Sequence, residues 1–268
     1  MTSRRASPVR YGVHDGIGQI TFARPERGNR FDQETLEALS SAVGQATSDG
    51  ETGLLRCLVL NHEGAWFSTG GDLESLGAER AGTPAFIRGA TIPLNAAVTR
   101  LARLDAPVIA AIDGPAIGAA VALVAAADIV IAGQNAAFMA GYHRIGMTPD
   151  GGISWFLPRR VGTRRATDYF LRNRTWNADE ACRYGLVNEV VPSEELAEHV
   201  DQIATELAAG PTAAFAVTRA LLLSAWDQPL EQQLELEARE LARASRTDDG
   251  WHGISAALGR QKAVFRGR

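Results

Sequence analysis

Three short segments of this chain hold the residue types that chemistry needs. The first is Pro149-Asp150-Gly151-Gly152, inside GMTPDGGISWFLPRR (146–160), where one carboxylate sits between a proline and two glycines. Aspartate before glycine is what a turn requires for backbone reasons alone. The same acid in an apolar pocket could take up and return a proton. The second is Ser68-Thr69-Gly70-Gly71-Asp72, between an apolar run and a helical pattern. Glycines let backbone amides approach a ligand, and a helix start favours negative charge. A tight loop with Asp72 as helix N-cap explains the same residues. The third is Gly114-Pro115-Ala116-Ile117-Gly118-Ala119-Ala120, again between strand and helix patterns. Small residues there permit close helix packing. Alternatively, two such helix starts could aim two amides at one carbonyl oxygen, typically worth about 3 kcal/mol per donor.

Other catalytic templates fail. DGPAIGA supplies only Gly114 and Gly118 of a dinucleotide-binding fingerprint, and neither a Walker phosphate loop nor G-x-S-x-G occurs. His14, His62, His143, His199 and His252 show no metal-ligand pairing, so no metal is expected.

These segments need elements to position them. YGVHDGIGQITFA (11–23) alternates around Asp15-Gly16, a hairpin signal. Asp32 reads as the N-cap of a helix over FDQETLEALSSAVGQA. CLVLN, VIAAI and DIVIA are short apolar strands, and the alternation of strand and helix argues for an α/β fold with buried strands. From about Asn177 the patterns turn helical: NADEACRYG, SEELAEHVDQIATELAAG, PTAAFAVTRALLLSAW and PLEQQLELEARELARAS, with LVNEVV the lone strand. Asn177 and Ser193 are expected caps, and Gly185 and Gly210 expected stops.

Composition sets outer bounds. The 268 residues allow one large domain or two smaller ones. A hydrophobic content of 46% and a net charge of -4 describe a soluble globular protein with no basic excess for nucleic acid. Lys262 is the only lysine; arginine suits phosphate contact, but a GC-rich genome produces the same bias. Cys57 and Cys182 match no metal spacing, and a reducing cytoplasm is expected. MTSRRASPVR is basic without an apolar stretch and is expected to be a loose tail. The stretch 107–132 is nearly long enough to cross a membrane, but Asp113, Gly114, Pro115 and Asp128 interrupt it; it reads better as strand, helix, strand.

Taken in order, RPERGNRFDQETLEAL, AWFSTGGDLESL, PVIAAIDGPAIGAAVALVAAADIVIA, AAFMAGYHRIGMTPDGGISWFLPRRVG and GISAALGRQKAVFRG resemble the crotonase superfamily of enoyl-CoA hydratases and isomerases. The resemblance covers nearly the whole chain. It implies an α/β fold: a ββα spiral core over 1–195 with an acyl-CoA site, then a helical C-terminal trimerisation section over 196–268.

The resemblance also implies roles. The amides of Gly71 and Ala119 would polarise a thioester carbonyl, Ala119 standing where the family usually has glycine. Gly70, Asp72 and Gly118 would flank the substrate. The two hydratase glutamates fall at Ala122 and Tyr142, so both acids are missing, and hydration needs a base and an acid beside one water. Isomerases of the family, including the phenylacetate-pathway ring-epoxide isomerases, place their sole acid where Asp150 stands, in a pattern close to PDGGISWFLPR. Asp150 is therefore expected to be both turn residue and base, with His143 the alternative base.

A rival is the 4-chlorobenzoyl-CoA dehalogenase pattern, with a nucleophilic aspartate at the same point and a similar following stretch, LRNRTWNADEACRYGLV. Its helper histidine falls at Asn95 and its tryptophan at Tyr142, two departures. A homologue that only binds acyl-CoA or RNA is a further alternative. Arg27 and Asn29 of the RPERGN loop, Tyr142, and Arg260 or Lys262 from a neighbouring subunit are the expected substrate contacts. SLGAERAGTPAF (75–86) would shape the acyl pocket. Coenzyme A would enter as part of the substrate, with no separate cofactor. A trimer or dimer of trimers is expected, with neither nucleic acid nor membrane as partner.

Overall fold

The structure, a computed structural model, describes residues 7–267. Alternation around Asp15-Gly16 folds as the expected antiparallel hairpin of β1 (Val9–His14) and β2 (Ile17–Phe22). The tail expected over the first ten residues lies outside the described residues as far as position 6. Val9 and Arg10 are already strand. There follow α1 (Gln33–Glu51), β3 (Cys57–His62), α2 (Leu73–Gly77), α3 (Thr83–Ala102), β4 (Val108–Ile112), β5 (Pro115–Ile117) and α4 (Ala119–Ala126). Next come β6 (Ile129–Gly133), β7 (Ala137–Met139), α5 (Ile153–Val161), α6 (Thr163–Leu171), β8 (Thr175–Asn177), α7 (Ala178–Tyr184) and β9 (Glu189–Val191). Four helices close the chain: α8 (Leu196–Ala208), α9 (Thr212–Ser224), α10 (Leu230–Ala244) and α11 (Asp248–Leu258).

The main sheet runs β1-β2-β3-β4-β6-β9, parallel from β2 onward. Its strands are apolar because both faces are covered. One face packs on α1, α3, α4 and α5 through residues such as Leu39, Leu58, Leu101, Val124 and Leu157. The other face, with Cys57, Val59, Ile109 and Ile131, is covered by Leu196, Val200, Ala204 and Ala208 of α8. The core thus runs through α8, beyond the boundary expected at 195.

A second sheet, β5-β7-β8, escaped sequence reading. Each of its strands is three residues long, too short to show a period. Parallel bridges continue it: Ser68 pairs with Ala116, and Phe31 with Gly71. Successive turns of the chain therefore pass through the main sheet, then this column, then a helix. That is the expected spiral, and it stacks the loops at 24–32, 68–72 and 113–119 beside one another.

Most local signals hold. The Asp32 side chain accepts from the Thr35 amide, and Asn177 with Glu180 forms a full capping box. Gly185 and Gly210 follow helix ends. Ser193 is a correction: α8 is entered through Glu195, and the Ser193 hydroxyl instead donates to Asp113 Oδ1 at 2.7 Å. In GISAALGRQKAVFRG, which a family closing helix would make helical throughout, the last helix ends at Leu258 and residues 259–267 are irregular.

Candidate active site

The loops at 68–72 and 115–119 are laced together by backbone. The Ile117 amide donates to Ser68 O (3.0 Å) and the Ser68 amide to Pro115 O (3.3 Å). The Ser68 hydroxyl, fully buried, accepts from the Gly70 amide at 3.0 Å. Gly70 has a φ of +78°, and a Cβ there would lie 2.5 Å from Ile117 O. Only glycine fits, because the second loop is already in contact. Gly118, at φ 58° and ψ -121°, turns the chain out of β5 and into α4 while its amide donates to Met139 O (2.9 Å).

The next residue in each loop is Gly71 and Ala119. Among the described residues neither amide donates to a protein acceptor. Ala119 opens the eight-residue α4, so its amide lies at the positive end of a helix. Two free amides in adjoining loops can hold an oxygen that carries negative charge.

The acid stands across from α4. Asp150 is half-buried, and Gly151 after it packs on Ala122 of α4 and Leu94 of α3. The Tyr142 hydroxyl donates to Asp150 Oδ1 at 2.8 Å. Tyr142 begins a single 3-10 turn (Tyr142–Ile145), and a Cβ on Gly118 would lie 3.8 Å from its Cζ. The tyrosine is therefore lodged between the amide loop and the acid. Burial raises the Asp150 carboxyl above its ordinary range, with the Tyr142 hydrogen bond opposing. Burial, then the Asp150 charge, pushes the Tyr142 phenol well up, so it stays a donor.

Of the expected site residues, the fold brings Gly70, Gly71, Gly118, Ala119, Tyr142 and Asp150 together. Ala122, at one hydratase glutamate position, is fully buried behind the acid. His143 points away: its Nδ1 lies 2.6 Å from Phe170 O. Asn95, on α3, lines a groove together with Gly151, Gly152 and Trp155.

Several expected substrate contacts are already engaged. Asn29 is 1% exposed; its Oδ1 accepts from the Arg24 amide, and its Nδ2 donates to Glu63 O and Trp66 O. Its side chain braces the loop and is not free for substrate. Asp72 is buried, accepts from Ser75 Oγ (2.6 Å) and pairs with Arg30 (3.2 Å). Arg27 is partly exposed and lies 3.3 Å from Asp32. Arg30, within the same RPERGNRF stretch, was missed; it ties this loop to the amide loop through Asp72. The tail carrying Arg260 and Lys262 does not turn toward the acid. It folds back so that Asp249 accepts from the Arg266 and Gly267 amides and Arg56 donates to Phe265 O. Arg56 precedes β3, at the end of the sheet opposite the amide loops.

The enoyl-CoA hydratase/isomerase family model matches residues 12–268. A Rhodobacter capsulatus protein named "Probable enoyl-CoA hydratase" is 36% identical over 97% of this chain and 98% of its own length. The 1,2-epoxyphenylacetyl-CoA isomerase of Escherichia coli is 35% identical over 96% of this chain and 97% of its own. The crystal structure of an enoyl-CoA hydratase/isomerase from Cupriavidus metallidurans superposes with a TM-score of 0.88 at 33% identity, covering 99% of this chain and 98% of that one. With two free amides beside a half-buried acid, on this spiral, and with these likenesses over nearly its full length, the chain belongs to the enoyl-CoA hydratase/isomerase family of acyl-CoA enzymes, the crotonase superfamily.

Proposed function

We propose that the protein is an enoyl-CoA isomerase that moves a double bond from the 3- to the 2-position, or performs a related shift, with Asp150 as the single acid-base group. The observation that carries this reading is the pairing of Asp150 with Tyr142 at 2.8 Å while Ala122 closes the other glutamate position. Hydration needs two groups around one water; a proton shift needs one carboxylate. Asp150 takes a proton from the α carbon, the thioester enolate oxygen rests on the Gly71 and Ala119 amides, and the proton returns at the γ carbon. Burial favours this: it lifts the carboxyl toward the range where it exchanges protons near neutral pH.

The test is a panel of 2-enoyl- and 3-enoyl-CoA substrates, followed for both hydration and isomerisation, with Asp150→Asn as control. Isomerisation is expected in the parent and should fall about 100- to 10,000-fold in the variant while CoA affinity holds. Robust hydration by the parent, or isomerisation that survives in the variant, would overturn the reading. Hydrolysis of a 4-halobenzoyl-CoA, lost in the variant, would instead favour the nucleophilic role.

Coenzyme A would be held by its phosphates at Arg27, and at Arg260 or Lys262 from a neighbouring copy. Self-association supports that assignment. Leu222, Trp226, Leu230, Leu234, Leu241, Trp251 and Leu258 of the last three helices and their links are all more than half exposed in the single chain. So many large exposed apolar side chains on the closing helices favour a partner, and a trimer or dimer of trimers is the assembly we assign. A monomeric mass by light scattering at micromolar concentration would refute it.

A further inference from the structure

Resting on the isomerase reading, we propose that Tyr142 is the positioning residue of the proton shuttle: it holds one oxygen of Asp150, so the proton travels on the other. The Tyr142 hydroxyl donates to Oδ1 at 2.8 Å, and among the described residues no other side chain donates to the carboxylate, whose one further donor is the Asp150 backbone amide, so Oδ2 is the oxygen that no side chain holds. The phenol cannot swing away easily. Its ring stands against Gly118, and its own turn is closed by the Met147 amide donating to Tyr142 O at 3.0 Å. The two glycines after the acid pack on apolar side chains, Leu94 and Val98 from α3, Ala122 from α4 and Phe156 from α5, while Arg103, Asp105, Arg219 and Asp227 line the groove beyond them. Tyr169 of α6, fully buried, is the one other phenol near Tyr142. Tyr142 is thus the polar side chain that fixes how Asp150 faces the substrate.

The consequence is geometric. Oδ2 accepts the α proton; the C–H electron pair becomes the new α-carbon to carbonyl-carbon double bond, and the thioester oxygen takes the negative charge. On collapse the electrons flow back through the dienolate. The γ carbon takes the proton from Oδ2, and Asp150 is again a carboxylate. No water, oxidant or second acid enters. Because one oxygen carries the proton, it leaves and returns on the same face, and much of it returns before exchange with solvent. Tyr142 also bonds the carboxylate better than the carboxylic acid, so losing the hydroxyl should lift the pH at which Asp150 becomes a base.

The experiment is Tyr142→Phe in the full chain, beside Asp150→Asn. With 3-enoyl-CoA deuterated at the α carbon, we expect kcat to fall about 10- to 100-fold. KM should be nearly unchanged, the acid limb of kcat/KM should move to higher pH, and less deuterium should be retained in the product. Incorporation of 3-fluorotyrosine at position 142 keeps the ring and strengthens the donor, and should move the acid limb the opposite way. Parental kcat, pH profile and deuterium retention in Tyr142→Phe, with Asp150→Asn inactive, would overturn this inference alone. An active Asp150→Asn would overturn the isomerase reading beneath it.

Discussion

Gly151 faces Ala122 so closely that a Cβ on the glycine would lie 3.1 Å from the alanine Cβ. The turn that presents Asp150 therefore occupies the space into which a longer side chain at 122 would grow. The missing glutamate and the glycine after Asp150 are two sides of one packing solution. Ala122→Glu should consequently not produce a hydratase. It should overpack the turn and bury a charge, costing about 3 kcal/mol or more. Urea denaturation with a 2-enoyl-CoA hydration assay checks this; a stable variant that hydrates would show the space to be there.

The amide loop is expected to be equally intolerant. Gly70→Ala would drive a methyl group toward Ile117 O, 2.5 Å away, in a backbone conformation that disfavours side chains. The loop must shift, and the Gly71 amide with it. We expect turnover to fall about 100- to 1,000-fold, the cost of losing one oxyanion donor. Retention of the parental rate by a folded variant would detach Gly71 from the chemistry.

Asp150 should destabilise the protein it serves. Its carboxyl is raised by burial in the folded state, so the folded chain holds that proton more tightly than the unfolded chain. The stability contributed by the protonated form is full below the ordinary aspartate range and is lost as pH rises through the raised value. At neutral pH the ionised group is a cost, and Asp150→Asn should raise Tm. The gain should vanish below the ordinary carboxylate range. Thermal unfolding of both proteins across pH measures it, and a lower Tm for the variant at neutral pH would contradict the sign.

The last helices are fastened to the core by Arg219. Its Nε donates to Asp128 Oδ2 at 2.6 Å, Nη2 to Leu101 O at 2.9 Å and Nη1 to Leu104 O, with only 9% of the side chain exposed. Asp128 also accepts from the Val108 amide at the start of β4. Removing the arginine takes the ion-pair partner from that carboxylate and a charged donor from each of two carbonyls. Arg219→Met should cost about 3–5 kcal/mol by chemical denaturation. A loss below about 1 kcal/mol would mean that packing of α9, not the ion pair, holds the junction.

What the sequence by itself determined is local. Asp32 and Asn177 cap helices because the amides they bind are three residues away, and the hairpin follows from Asp15-Gly16 between alternating residues. Apolar runs such as VIAAI are buried because no polar residue interrupts them. The acid at 150 and the absence of glutamate at 122 and 142 are likewise plain from residue types. Only the tertiary structure decided the rest. β5, β7 and β8 are strands because each found a partner, not because three residues carry a pattern. Asn29 and Asp72 look like free polar groups in a loop, yet their partners lie at Glu63 and Trp66, and at Arg30, brought near by the stacking of spiral turns. Ser193 left its expected cap because Asp113, 80 residues earlier, offered its hydroxyl a better acceptor. The bond from Tyr142 to Asp150 depends on the intervening turn, whose fold is set by packing on α4 and α6. A side chain's type limits what it can bind; which group it meets is settled by the backbone that carries both, and that backbone is fixed by contacts far apart in the chain.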